Sequence, residues 1–293
     1  MVHYTDLLQA QRLCEALAAP ARVEIMRLVL SHRADSLDAL AKTLHLSNGA
    51  ITQHVKKLVD VGLIRLEELP GKHGTAKRCV PTVDRVMIDI ATDIASENAE
   101  VFNLPIGHFS FAAVNPYCAI ATSEAYIGER DDPRYFTYPE RTKAALIYFN
   151  SGKINWVLPS PVRRSARIKS VSVSLELSAK PYGHGHKRDS AVSFFVNDQL
   201  LGTHVIDGEF TDRKGLFTPA AFDDVCQYGK YKTVKITEDG SFVDGIKIGS
   251  TRLSDIDISS LTFAITTENG VSIFGNGFGD YDCGLRCKTE YYE

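Results

Sequence analysis

The chain has 293 residues, 44% of them hydrophobic and 24% charged, the balance of a soluble globular protein long enough for two domains. No apolar run approaches the roughly 20 residues that a helical membrane span requires. The net charge of −3 does not mark a nucleic-acid binder, but its distribution is uneven. Residues 1–80 hold eleven Lys/Arg against eight Asp/Glu, a local excess of +3 that leaves −6 for the remainder. The N-terminal part is therefore the one expected to face a polyanion.

The first twenty residues, MVHYTDLLQAQRLCEALAAP, have neither a basic lead nor the apolar centre of a secretion signal. With only six cysteines (Cys14, Cys79, Cys118, Cys226, Cys283, Cys287), reduced thiols in a cytoplasmic location are expected. Pro20 suits the first turn of a helix, and Val23, Met26, Val29 and Leu30 follow on one face. Ser36 can cap a short helix in which Leu37, Leu40, Ala41 and Leu44 repeat at helical spacing. Ser47 is the next capping candidate, and the helix it opens carries Ile51, Val55 and Leu58 on its core side. Gly62 ends that helix. Two alternating runs around Pro70-Gly71-Lys72-His73-Gly74 predict a β-hairpin. Val83, Val86, Met87, Ile90, Ala91 and Ile94 predict a last helix from Val83 to about Glu100. Helix, helix, helix, hairpin, helix is the order of a winged helix-turn-helix.

Beyond residue 100 the period becomes two. "VSVSLELS" places Val171, Val173, Leu175 and Leu177 on one face and Ser172, Ser174 and Glu176 on the other. "ALIYFN", "KINWVLP", "AVSFFVN", "LLGTHVI", "YKTVKIT", "LTFAITT" and "LRCKTEYY" are further strands, and "YPERTKAAL" a short helix. Asn197-Asp198, Asp239-Gly240, Asp244-Gly245 and Asn269-Gly270 supply turns between strands. The expected fold class is α+β. A winged helix-turn-helix domain for DNA binding and dimerisation occupies residues 1–100, and an antiparallel, jelly-roll-like β-sandwich occupies 101–293.

The run "ALAAPARVEIMRLVL…SLDALAKTLHLSNGAITQHVKKLVDVGLIRLEE…GKHGTAKRCVP", about Ala16 to Pro81, resembles the ArsR family of bacterial winged-helix transcriptional regulators. "IGHFS", "DDPRYF", "QYG" and "FGNGFGDYDCG" resemble a β-rich C-terminal extension found in a subset of such proteins. The resemblance implies a homodimer that binds an operator in double-stranded DNA and changes affinity when an effector binds.

The helix after Ser47 has a polar side with no acidic residue, Asn48, Gly49, Thr52, Gln53 and Lys56, and with Ser47 these are its candidate DNA contacts. Carboxamides suit adenine edges, Thr52 a base or methyl group, and Lys56 a phosphate or guanine. Gly49 keeps the helix start slim. In the hairpin, Lys72, His73, Lys77 and Arg78 would meet the backbone or minor groove. Taken alone, such a face is better read as a solvated helix surface; position, cap and hairpin favour DNA reading.

The helix preceding the reading helix has no cysteine, and Asp89 and Asp93 have no companion histidine, so the metal-sensing pattern of the family is missing. His184 with His186, and Cys283 with Cys287, read as loop and packing residues rather than ligands. No metal site and no cofactor is expected. Neither G-x-S-x-G, H-E-x-x-H nor a phosphate-binding loop occurs, so no enzyme is expected. The sandwich reads as a sensor for a small polar effector, a sugar being the favoured class, and the whole as a repressor. Trp156, Tyr148, Tyr182 and Tyr228 are candidate aromatic platforms, with Asn155, Arg134 and Gln227 as polar partners. The alternative is a sandwich that serves as a protein-interaction or dimer-stabilising module without a small ligand.

Overall fold

The computed structural model describes the chain except residues 1, 5–6, 72–73, 84–85, 89–97, 160–166, 180–188, 209 and 293. It divides into two compact units, Met1–Ile94 and Ala95–Glu293.

The first unit opens with strand β1 (Val2–Tyr4), followed by helices α1 (Leu7–Leu17), α2 (Pro20–Leu30), α3 (Leu37–Leu44) and α4 (Asn48–Asp60). Hairpin strands β2 (Ile64–Gly71) and β3 (Gly74–Pro81) come next, then β4 (Val86–Ile88). Pro20 stands at the start of α2, where its missing N–H costs nothing. Ser36 Oγ accepts from Ala39 N–H and Ser47 Oγ from Ala50 N–H, so both following helices carry side-chain caps. Ile25, Leu40, Ile51, Leu58 and Ile64 are at most 1% exposed and form the centre of this unit's core. The helix Leu7–Leu17 was not among the sequence expectations.

The expected helix from Val83 to Glu100 is corrected at both ends. Val86–Ile88 is a strand paired in parallel with Val2–Tyr4, and Ala99–Leu104 is also extended. Residues 89–97, with Ile90, Ala91, Ile94, Asp89 and Asp93, lie outside the described residues. Val83, Val86 and Ile88 pack half-buried on their own unit's core. Their apolar spacing is satisfied by a strand whose partner lies at the other end of the unit, a pairing that no local window contains.

The second unit is β throughout, with short 3₁₀ turns. Its strands are β5 (Ala99–Leu104), β6 (Phe109–Ala121), β7 (Leu146–Val157), β8 (Ile168–Ser178), β9 (Ser190–Val196) and β10 (Gln199–Ile206). They continue with β11 (Lys230–Thr237), β12 (Gly240–Val243), β13 (Ile246–Gly249), β14 (Thr262–Thr267), β15 (Val271–Phe274) and β16 (Leu285–Tyr291). All pairings are antiparallel. Where an antiparallel, jelly-roll-like sandwich was expected, the described residues form one large antiparallel sheet of twelve strands. One limb runs β10-β9-β14-β7-β6 and the other β5-β16-β8-β11-β12-β13, with β15 hydrogen-bonded to both β7 and β8. The sheet curls until β10 approaches β13, where Gly202 and Gly249 leave room for the facing carbonyls of Ile248 and Leu201. It is nearly a closed barrel around one core that includes Phe149, Trp156, Leu175, Phe194 and Phe263.

Two turn signals act through backbone handedness. Asn197-Asp198 (φ 48 and 60) and Asp244-Gly245 (φ 50 and 81) are two-residue connections in left-handed geometry, which matches the twist of the strands they join. "ALIYFN" and "KINWVLP", expected as two strands, form the single β7. "YPERTKAAL" yields only a 3₁₀ turn, Pro139–Lys143. Along β8 both faces are covered: Ser172, Ser174 and Glu176, on the polar face, are buried as well.

Candidate nucleic-acid interface

Helix α3 ends at His45, whose left-handed conformation (φ 53) turns the chain sharply into Leu46 and the Ser47 cap. Helix α4 then buries Ile51, Val55 and Leu58 and leaves Gly49, Thr52, Gln53, Lys56 and Lys57 exposed. The exposed face carries no carboxylate until Asp60. At Gly49 a side chain would meet nothing within 4 Å, so the fold itself makes no demand for glycine there. The bare helix start can therefore be approached closely from outside.

Two polar groups of this face are already engaged. Asn48 Nδ2 donates to Asp38 Oδ1 at 3.0 Å, and Thr52 Oγ1 donates to Asn48 O at 2.8 Å. Gln53 and Lys56 have no partner among the described residues and project freely. An open hollow of about 570 Å³ at the turn between α3 and α4 is lined by Asp38, Lys42, His45 and Asn48.

The hairpin is sewn to the turn before α3. Cys79 N–H donates to Asp35 O at 2.6 Å, Ser36 forms a bridge to Arg78, and Arg78 Nε donates to Asp35 Oδ2 at 2.8 Å. Arg78 is thus a half-exposed ion pair, whereas Lys77 is exposed opposite Glu68 in the strand register. Lys72 and His73 lie outside the described residues.

Among the described candidate effector residues of the second unit, Tyr148 and Gln227 both meet the Phe222 cluster, and the others occupy separate surroundings. Trp156 is wholly buried, its indole N–H donating to Ile106 O at 2.8 Å, and it serves the core rather than a platform. Asn155 points to the other face of β7, half-buried, with Oδ1 lacking a protein partner. Tyr148 packs half-buried on a small cluster around Phe222 and Phe278. Arg134 is exposed and paired with Asp132. Gln227 is 3% exposed and donates to the carbonyls of Phe222 and Val225. Tyr228 donates to Asp212 at 2.7 Å beneath the Arg213 guanidinium, 3.7 Å from its ring centroid. Tyr182, His184 and His186 lie outside the described residues. Cys287 is buried, while Cys283 lies 3.7 Å from the Tyr231 hydroxyl.

Sequence reasoning missed two features. Glu176, placed with Ser172 and Ser174 on the polar face of its strand, is 1% exposed and accepts backbone N–H bonds from Gly229, Asp280 and Tyr281. Burial pushes its carboxyl up to about 7 despite those donors. Only the unusual choice of a carboxylate inside a serine-rich strand could have marked it. The second is a cleft of about 340 Å³ lined by Asn103, Leu104, Pro105, Asn276, Asp282, Cys283 and Gly284.

A family model described as HVO_A0114 matches residues 17–88. The match runs from the end of α1 through the hairpin to β4 and stops short of the second unit. No curated protein matches the chain significantly. No helix among the described residues is long and apolar enough to cross a membrane.

Proposed function

We propose that residues 1–94 act as a winged helix-turn-helix that reads double-stranded DNA, with α4 in the major groove and the β2–β3 hairpin as the wing. The observation that carries this reading is the exposed, acid-free face of α4, presented by a helix whose opposite side is locked into the core. A helix of this kind offers base-reading side chains without repelling phosphates. Gln53 is the base reader, suited to adenine, and Lys56 and Lys77 contact phosphates. Arg78 acts first as a brace for the hairpin through Asp35.

In this reading the protein is a cytoplasmic transcriptional repressor of ArsR type. It binds as a homodimer, because paired reading heads about 34–36 Å apart recognise two half-sites. The β unit senses a small polar effector, and the effect on DNA is bounded by the effector's differential affinity for the two states. The test is selection of duplexes from a random pool by the full chain, followed by mobility-shift assays on the enriched sequence. An enriched site bound far more tightly than scrambled DNA is the expected result. Failure to enrich any sequence removes the DNA-reading proposal.

A further inference from the structure

We propose that the cleft between the end of β5 and the Asn276–Gly284 loop binds a neutral polyhydroxylated molecule of monosaccharide size. The regulatory consequence rests on the proposed function; the binding itself does not. At about 340 Å³ the cleft falls at the small end of the range for ligand sites, roughly 300–1,000 Å³.

Its chemistry is specific. Asn103, Asn276 and Asp282 contribute two carboxamides and a carboxylate, and no hydrogen bond among the described residues uses any of the three side chains. A carboxamide donates and accepts at once, and a carboxylate accepts from two hydroxyls, so the set matches vicinal diols. Leu104 and Pro105 supply an apolar wall for a C–H face. No aromatic ring lines the cleft, which disfavours flat heterocycles that bind by stacking. Asp282 is the charged side chain of the lining and disfavours an anionic guest, while Arg286, opposite Asn103 in the strand register, disfavours a cationic one. Gly284 is needed at the floor, since any side chain there would collide with the Leu104 carbonyl.

The position suits a sensor. Among the described residues, strand β5 is the first of its unit and pairs only with β16. A guest bridging Asn103 and the 276–284 loop would tie down the strand that follows directly, along the chain, from the first unit.

The experiment uses the full chain. Glucose, galactose, mannose, ribose, xylose and inositol are titrated by calorimetry and saturation-transfer NMR, beside glucuronate and glucosamine. The variants Asp282→Ala, Asn103→Ala and Asn276→Gly are titrated in parallel; glycine accepts the left-handed backbone at 276 (φ 47). The expected result is saturable binding of at least one neutral member, weakened about tenfold or more in Asp282→Ala and preferred over the charged analogues. No binding by any neutral member, equal binding by all three variants, or preference for a charged analogue overturns the proposal. Mobility shifts on the same preparations keep the two readings apart. Sugar binding without DNA binding leaves the cleft standing and removes the regulator, and the reverse outcome does the opposite.

Discussion

The Asn48 carboxamide donates to Asp38 Oδ1 at 3.0 Å, so the first residue of α4 is tied to the first turn of α3. This bond restrains a side chain otherwise suited to an adenine edge, and it keeps a carboxylate beside the proposed reading face. Asp38→Ala is expected to release Asn48 and raise DNA affinity several-fold, with a changed preference at one base pair. The helix-start charge it removes contributes about 0.3–1 kcal/mol, so melting should fall only slightly. Binding isotherms on enriched and scrambled duplexes measure both; unchanged affinity and preference would take Asn48 out of the interface.

Gln53→Ala is expected to lower discrimination between enriched and scrambled duplexes by about 1–3 kcal/mol. Lys56→Ala and Lys77→Ala should weaken binding to both alike and reduce the slope of log affinity against log salt by about 1. Titrations at several salt concentrations separate the two behaviours. Equal discrimination by Gln53→Ala and the native chain would exclude α4 from the groove.

Ser47 Oγ accepts the Ala50 N–H at 3.2 Å and caps α4. Ser47→Ala should cost about 0.5–2 kcal/mol of stability in the first unit, and Ser47→Asp should restore most of it. Denaturant unfolding followed by helical signal is the measurement. A loss confined to DNA affinity, with stability intact, would make Ser47 a contact residue instead of a cap.

Glu176 has a carboxyl raised to about 7 by burial, against backbone donors that lower it. The folded state therefore holds its proton more tightly than the unfolded chain, whose glutamate titrates near 4.3. Its contribution to stability is complete below that value and is lost as pH rises through about 7. The melting temperature of the native chain should fall across this window relative to Glu176→Gln, which has no proton to lose. A native-minus-variant difference that stayed flat would show that the site is ionised throughout.

Glu290 behaves in the opposite sense. Burial raises its carboxyl, but bonds from Lys288, Ser170 and Lys235 outweigh it and hold the group down at about 2. The stability it contributes is present above about 4.3 and lost as pH falls toward 2. Glu290→Gln should flatten acid unfolding between those limits, as read by circular dichroism.

Features governed by near neighbours were legible in the sequence. Ser36 and Ser47 cap the helices after them because a hydroxyl needs only an N–H three residues on. Ile51, Val55 and Leu58 turn inward because 3.6 residues make a turn, and Asn197-Asp198 and Asp244-Gly245 close hairpins because those residues tolerate left-handed backbone. Gln53 and Lys56 could be named as exposed for the same reason.

Tertiary structure decided the rest through partners distant in the chain. Val86–Ile88 became a strand because Val2–Tyr4 lay beside it, although its apolar spacing suited a helix equally well. Ser172, Ser174 and Glu176 alternate like a solvent face, yet the surrounding sheet and the 279–281 loop cover them. Trp156 could have been a platform or a core residue, and only the carbonyl of Ile106 settles which. The cleft joins Asn103 to Asp282, residues whose proximity depends on β5 pairing with β16. Periodicity states which side of an element a residue occupies. What lies against that side is determined by long-range pairing, because burial is a property of the assembled sheet and not of the strand.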